Sequence, residues 1–438
     1  MLAEYYQLLK EFVSFKSISA DQNFSDEIKK TAERLKKLFE TNGFQSKIFP
    51  GYGNPILFAT YNLNKSLPTC LIYGHYDVHF ADKKEGRKKD PFSLHIGKDK
   101  VFGRGVVDNK GQILIHLLNI FHLIKDGKLG YNIIFLIQGD KESGSLGLEK
   151  FIVDHKDKLK SDFSLISDSM IFEDNPCIDI GFRGSLNVTL KVSTCKSDFH
   201  SGFYGSVLPN AIQELSKLIS KLHEMNNNIA IPYFYYDVDN IPINFYIKNK
   251  KIKVDYQQLE KKLGVKSIFK TKDFDFLIKV GLSPSLQITG IFGGGETNII
   301  PGIASVNLNF RTVKSQNNEK IINSFKQRIK FNIPEYVDYE IKIGENFDPC
   351  KLNIDNQYVQ KADSILKTVY GKSVIYKYSG GSIPILNLFE KYLGSKTVLI
   401  PLANEDSNPH GTNENFDVNL IEKGLLFSYQ YFKNNLIL

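Results

Sequence analysis

Cysteine is scarce and scattered in this chain. The four present in 438 residues, Cys70, Cys177, Cys195 and Cys350, form no Cys-x-x-Cys pair and no dense spacing, so neither a disulfide framework nor a thiolate zinc site is expected. Any transition metal held here must use histidine and carboxylates. Long apolar runs are missing as well. No stretch reaches the ~18 consecutive apolar residues of a membrane span, and the opening Met1-Leu2-Ala3-Glu4-Tyr5-Tyr6 lacks the basic-then-apolar order of a secretory signal. A cytoplasmic protein with no membrane partner is the expectation. Tryptophan is absent while lysine and isoleucine are abundant, a pattern that needs no explanation beyond coding bias. A concentrated charge of one sign is lacking too: the net +8 is spread widely, and its densest cluster, Lys83-Lys84-Glu85-Gly86-Arg87-Lys88-Lys89, has no aromatic residues interleaved for base stacking. Such a run reads as a solvated loop, and nucleic acid is not an expected partner.

What is present is the composition of a globular protein, 42% hydrophobic and 24% charged. The length exceeds one ordinary core, which implies two domains or more. Ser25 to Asn42 carries Ile28, Ala32, Leu35 and Phe39 at helical spacing and stops at Gly43, a suitable C-cap. Strand-like runs follow at 44–49, 56–61 and 69–73, then a helix over 110–124, the fully apolar strand 133–137, a helix over 148–159 and a strand at 163–166. Helix and strand alternate, as in an α/β layer structure with a mainly buried sheet.

From about Gly184 the pattern changes to strand 186–192, helix 210–225, strands 286–289 and 306–311, helix 319–331 and strand 339–343. That β-α-β-β-α-β order predicts a small antiparallel sheet with helices on one face. Residues 226–284 are too long for a simple loop and read as an elaboration with short elements such as Ile243 to Ile247. After Glu345 the α/β style resumes with helices over 357–369 and 383–392, a strand at 397–401 and a closing helix over 417–432. The expectation is an α/β domain formed by residues 1–183 and 346–438, interrupted by an inserted α+β domain at 184–345.

Candidate chemistry lies at the strand ends. His75 and Asp77 follow the apolar run Thr69 to Tyr73, where open α/β sheets gather ligands, and an acid two positions on can orient a metal-bound imidazole. Asp108 stands in Gly103-Arg104-Gly105-Val106-Val107-Asp108, Glu142 in Gly139-Asp140-Lys141-Glu142, Asp168 after Leu165-Ile166-Ser167, and His410 in Pro409-His410-Gly411. Two histidines and three carboxylates suit two zinc ions sharing a bridging carboxylate. Taken singly, Asp108 is equally a helix cap, Glu142 and Asp168 solvated turn residues, and His75 and His410 loop histidines.

In order and wording these segments resemble the dinuclear zinc exopeptidase and deacylase family, which includes carnosinase-type dipeptidases, glutamate carboxypeptidase, aminoacylase and succinyl-diaminopimelate desuccinylase. The resemblance also covers Asp90-Pro91-Phe92, Gly181-Phe182-Arg183-Gly184, Asp198-Phe199-His200-Ser201-Gly202, Asn298-Ile299-Ile300-Pro301, Arg311 and Gly380-Gly381-Ser382-Ile383-Pro384, and is strongest to the dipeptidase branch. It implies a catalytic domain with a mainly parallel mixed sheet between helices and an inserted lid or dimerisation domain. It further implies that Asp108 bridges two zinc ions, or cobalt or manganese in their place, with His75 and Asp168 on one and Glu142 and His410 on the other, and with Asp77 orienting His75. His200 would polarise the scissile carbonyl across a homodimer, while Asn298, Arg311 and Ser382 would hold the substrate, a small peptide or N-acyl amino acid.

One position breaks the pattern. The family's general base, a Glu before the ligating Glu, is replaced by Lys141, and an ammonium cannot accept a proton. Three explanations stand open: an inactivating change, Asp140 serving as the base, or a Lys141 with a depressed pKa. Tyr378 and Ser379 stand where many relatives have Arg and Glu, which bears on recognition of the substrate's end group.

Overall fold

A computed structural model describes residues 1–82, 90–240, 254–269, 276–295, 297–381 and 383–434. Ser382, the lysine-rich run 83–89 and the expected strand Ile243 to Ile247 lie outside the described residues. The chain divides into two compact units, one of Met1–Ile180, Leu352–Tyr376 and Leu388–Leu438, the other of Gly181–Lys351 and Lys377–Asn387. The division departs from the expected 184–345 by a few residues at each end, and residues 377–387 group with the inserted unit. Long-range hydrogen bonds explain this regrouping. Arg183 donates from its backbone nitrogen to the Ser379 carbonyl (3.3 Å) and from Nε to the Gly380 carbonyl (3.2 Å), contacts that sequence periodicity cannot register.

The first unit is built on a six-stranded sheet of β1 (Gln45–Phe49), β2 (Ile56–Tyr61), β3 (Thr69–His75), β4 (Asn132–Gln138), β5 (Phe163–Ile166) and β6 (Lys396–Leu399). Their order is β1-β2-β4-β3-β5-β6. The pairs β1/β2 and β2/β4 are antiparallel, whereas β3/β4, β3/β5 and β5/β6 are parallel. The sheet is therefore mixed and mainly parallel. Every position of β4 is buried, which is why its sequence, Asn-Ile-Ile-Phe-Leu-Ile-Gln, is apolar without alternation.

Helix Lys110–Lys125 is buried on all sides except in its last turn, packing against helices Leu2–Ser14 and Val418–Phe432, and is mainly apolar for that reason. Helix Ser25–Thr41 instead buries one stripe, Ile28, Ala32, Leu35 and Phe39, and ends before Gly43, whose φ of +83° suits the turn that stops it. Helix Leu2–Ser14 is an addition to the sequence reading, although Tyr5, Leu9, Phe12 and Val13 recur at helical spacing and are buried. The expected helix over 383–392 is a short helix, Ile385–Leu388, followed by a π turn, Phe389–Leu393.

The inserted unit has the expected β-α-β-β-α-β order. Its sheet runs Ser285–Gly293, Ile303–Thr312, Gly184–Ser193, Asp338–Phe347, antiparallel throughout. Leu186, Val188, Leu190, Val192, Val306, Leu308 and Phe310 face Leu215 and Leu218 of helix Ala211–Ser220 and Ile321, Ile322 and Phe325 of helix Asn318–Asn332. Each such side chain removed from water stabilises the fold by about 1.5–3 kcal/mol.

Candidate metal centre

Three adjacent parallel strands of the first unit bring their carboxyl ends together. β3 ends on His75, β4 runs into the turn Lys141–Ser143 that carries Glu142, and β5 stops two residues before Asp168. Asp108 precedes helix Lys110–Lys125, and His410 lies in the loop before strand Asn415–Asp417, with a φ of +63°. Close packing holds His75 in place: a Cβ at Gly74 would stand 2.8 Å from Asn109 Oδ1 and Ile113 Cδ1. Asn109 in turn donates to the Ser167 carbonyl (2.6 Å) and Asp168 Oδ1 (3.1 Å).

The five candidate ligands fall into two groups that share Asp108: His75 with Asp108 and Asp168, and Asp108 with Glu142 and His410. His75 Nε2 lies 3.0 Å from Asp108 Oδ1 and 3.8 Å from Asp168 Oδ1. His410 Nε2 lies 2.8 Å from Asp108 Oδ2 and 3.0 Å from Glu142 Oε2. Asp77 stands behind them. His75 Nδ1 is 3.1 Å from the Asp77 carbonyl and 3.3 Å from its Oδ1, while Asp77 Oδ2 accepts from the Glu142 amide at 2.9 Å. His75 Nε2 is fully buried and has no hydrogen bond of acceptable geometry despite its carboxylate neighbours. Two imidazoles and three carboxylates converging in this way are a donor set that fits divalent metal.

Lys141 intrudes on that set. Its Nζ is 2.8 Å from Glu142 Oε1, 3.0 Å from Asp108 Oδ1 and 3.7 Å from Asp168 Oδ2. Burial acts to lower the Lys141 pKa, but the charges of Asp108, Asp168 and Glu142 outweigh it and hold the ammonium well above its ordinary range. At Asp140, burial and then the charge of Asp77 raise the carboxyl to about 6. Its carboxylate is engaged by Gln138 Nε2 (2.9 Å) and packed against Gly53, where a Cβ would come within 2.2 Å of Oδ2. At His75, burial and the Lys141 charge act downward, yet the carboxylates of Asp108, Asp168 and Asp77 beside the ring carry it well above the usual histidine value. Hydrogen bonds to Asp108 and Glu142 raise His410 to about 10.

Two supports escaped the sequence reading. Arg104 and Glu414, each 1% exposed, pair at 2.7 Å. Glu414 accepts from the amides of Gly105, Val107 and Asp108 at 3.0–3.2 Å, and Arg104 Nη2 donates to the carbonyls of His410 (2.8 Å) and Gly411 (3.2 Å). This pair fastens the Asp108 segment to the His410 loop. The available signal was an arginine between glycines, Gly103-Arg104-Gly105, and an acid at the end of the His410 segment. Deeper, buried His116 meets Ser167 Oγ (2.9 Å) and Ser428 Oγ (3.1 Å) beneath Asp168.

In the inserted unit, strand pairing of Phe199–His200 with Ile299–Ile300 brings His200 and Asn298 together. Ser201 N donates to the Asn298 carbonyl at 2.8 Å, and His200 Nδ1 accepts from Gly202 N at 3.1 Å. Asn298 has a φ of +65°, which asparagine tolerates. Arg311, on strand Ile303–Thr312, neighbours Arg183, whose pKa burial and then the Arg311 charge lower to about 10.

Residues 71–434 match the model of Peptidase family M20/M25/M40. The chain belongs to this peptidase family. It is 28% identical, over 97% of its length and 92% of the other's, to the Beta-Ala-His dipeptidase of Mus musculus. It is 27% identical over 95% of its length to the probable di- and tripeptidase DUG2 of Saccharomyces cerevisiae, and spans about half, 48%, of that longer protein. The crystal structure of human carnosine dipeptidase 1 superposes with a TM-score of 0.87 at 27% identity, covering 98% of this chain and 96% of that one. Similarity to the dipeptidase branch of the M20 peptidases thus extends nearly end to end.

Proposed function

We propose that this M20 peptidase is a metal-dependent hydrolase of the amide bond in dipeptides or related small N-acyl amino acids. The observation that carries the reading is the pair of histidine and carboxylate groups joined at Asp108; the names of the relatives support the substrate class. In this reading His75, Asp108, Asp168, Glu142 and His410 hold divalent metal, zinc or else cobalt or manganese. When bound, such a cation supplies a Lewis acid for the carbonyl and lowers the pKa of a bound water. Asp77 fixes the imidazole of His75 and, through the Glu142 amide, the start of the Glu142 turn. Arg311 offers a planar fork that with Ser382 anchors the substrate carboxylate, Asn298 holds its backbone, and His200 donates to the carbonyl oxygen as it gains charge. The inserted unit serves as a lid and as the contact of a homodimer, and the protein works in the cytoplasm; among the described residues no helix is long and apolar enough to cross a membrane.

Lys141 sets the rate. Where a carboxylate would take the water's proton, an ammonium repels it, so turnover falls far below what the same centre could reach. The Lys141 contacts also favour a second reading, a dimer that binds metal and peptide without cleaving it. A panel of dipeptides and N-acyl amino acids, with and without EDTA, separates the two. Slow hydrolysis abolished by EDTA and restored by ZnCl2 is expected. Saturable peptide binding by calorimetry with no product from zinc-loaded protein would leave only the second reading.

A further inference from the structure

The two sides of Asp108 are not equally open to a cation. On the His410 side the three converging atoms are His410 Nε2, Asp108 Oδ2 and Glu142 Oε2, at 2.8 and 3.0 Å from the imidazole. Lys141 Nζ is directed at the opposite oxygens of both carboxylates, Asp108 Oδ1 (3.0 Å) and Glu142 Oε1 (2.8 Å), and also faces Asp168 Oδ2 (3.7 Å). Asp108 Oδ1 is the oxygen that faces His75, at 3.0 Å. The ammonium therefore takes the Asp108 oxygen that faces His75, and its hydrogen bonds reach neither Asp108 Oδ2 nor Glu142 Oε2 on the His410 side.

Charge leads to the same place. Asp108, Glu142 and Asp168 carry three negative charges and Lys141 cancels one, while the His75 imidazole and the Asp77 carboxylate, 3.3 Å apart, offset each other; the two charges that remain match a single divalent ion. Two divalent ions beside the ammonium would leave this enclosed site with net positive charge, for which the low local dielectric gives little screening. A carboxylate at position 141, as in the resembling family, would make four negative charges, the match for two divalent ions.

We infer that Lys141 is a built-in substitute for one metal ion, so that this chain holds a single divalent cation, at His410, Glu142 and Asp108, and its own ammonium on the His75 side. This deepens the reading of the cluster as a metal centre and rests on it.

Metal content decides the matter without any activity assay. The purified full-length chain is stripped with EDTA, reloaded with excess ZnCl2, desalted and analysed for zinc by plasma mass spectrometry, with circular dichroism to confirm folding. One zinc per chain is expected for the protein itself and for His75→Ala, none for His410→Ala, and two for Lys141→Glu. Two zinc ions in the unaltered chain would overturn the inference while leaving the metal centre intact. So would a single zinc lost in His75→Ala but kept in His410→Ala, or a folded Lys141→Glu that still takes only one. No zinc in either the unaltered chain or Lys141→Glu would instead overturn the metal centre itself, and the inference with it. Should Lys141→Glu fail to fold, the unaltered chain and the two histidine variants still decide where and how many ions bind.

Discussion

The two sides of Asp108 are held by different physics. On the His410 side the support is ionic: buried Arg104 and Glu414 pair with each other and make further hydrogen bonds with backbone carbonyls and amides of the two ligand segments. On the His75 side, beyond the Asp77 carboxylate behind the imidazole, it is neutral: Asn109 bridges the Ser167 carbonyl and Asp168, and His116, under Ser167, meets two hydroxyls. His75 and His116 are both fully buried, yet carboxylates carry the first well above the ordinary histidine range while burial alone pushes the second down to about 3. Burial by itself thus says little about function; the partners decide it.

This contrast can be tested most forcefully at Lys141, the residue that separates the two sides. Lys141→Glu restores a proton acceptor, and turnover of a dipeptide should rise by about 10²–10⁴, the usual contribution of a general base; an unchanged kcat in zinc-loaded protein would show that position 141 does not limit the reaction. Next in size is the ionic support. Glu414→Ala leaves Arg104 buried without its counter-charge, a loss of about 3–5 kcal/mol of stability in urea unfolding, accompanied by weakened zinc binding. A variant as stable as the parent would remove the Arg104–Glu414 pair from the account.

The neutral side predicts a pH dependence. His116 is held near 3 in the folded chain, against about 6.5 when unfolded, so between these values the unfolded chain binds the extra proton. Stability from this group is complete above about pH 6.5 and is lost as pH falls toward 3, at up to about 1.4 kcal/mol per pH unit. His116→Gln should flatten the fall in urea midpoint between pH 7 and pH 5 relative to the parent; parallel slopes would refute it. The smallest effect is expected at Asp140. With its carboxylate engaged by Gln138 and seated against Gly53, Asp140→Asn should leave residual turnover within roughly threefold, below the least a general base contributes, and a hundredfold drop would make Asp140 the base after all.

Periodicity and strand-end chemistry made much of the molecule legible from sequence. The unbroken apolar run of β4 and the spaced Ile28, Ala32, Leu35 and Phe39 are local consequences of full and one-sided burial, so they read correctly without coordinates. His75, Asp108, Glu142, Asp168 and His410 could be named because strand ends and loops announce themselves and their order matches a family. Arg104, Glu414 and His116 could not, since each acts through a partner about 50 to 310 residues away, and no local pattern encodes such a distance. The grouping of residues 377–387 with the inserted unit was hidden for the same reason.

By itself, then, the sequence determined the α/β style, the inserted β-α-β-β-α-β unit, the absence of thiolate ligands and the presence of a lysine where a base is needed, all of which follow from residue type and local spacing. Only the tertiary structure decided what that lysine does. Its ammonium lies beside three carboxylates drawn from two strand ends and the start of a helix, which opposes the loss of its proton and directs it to one side of Asp108, because electrostatic fields add in space and not along the chain.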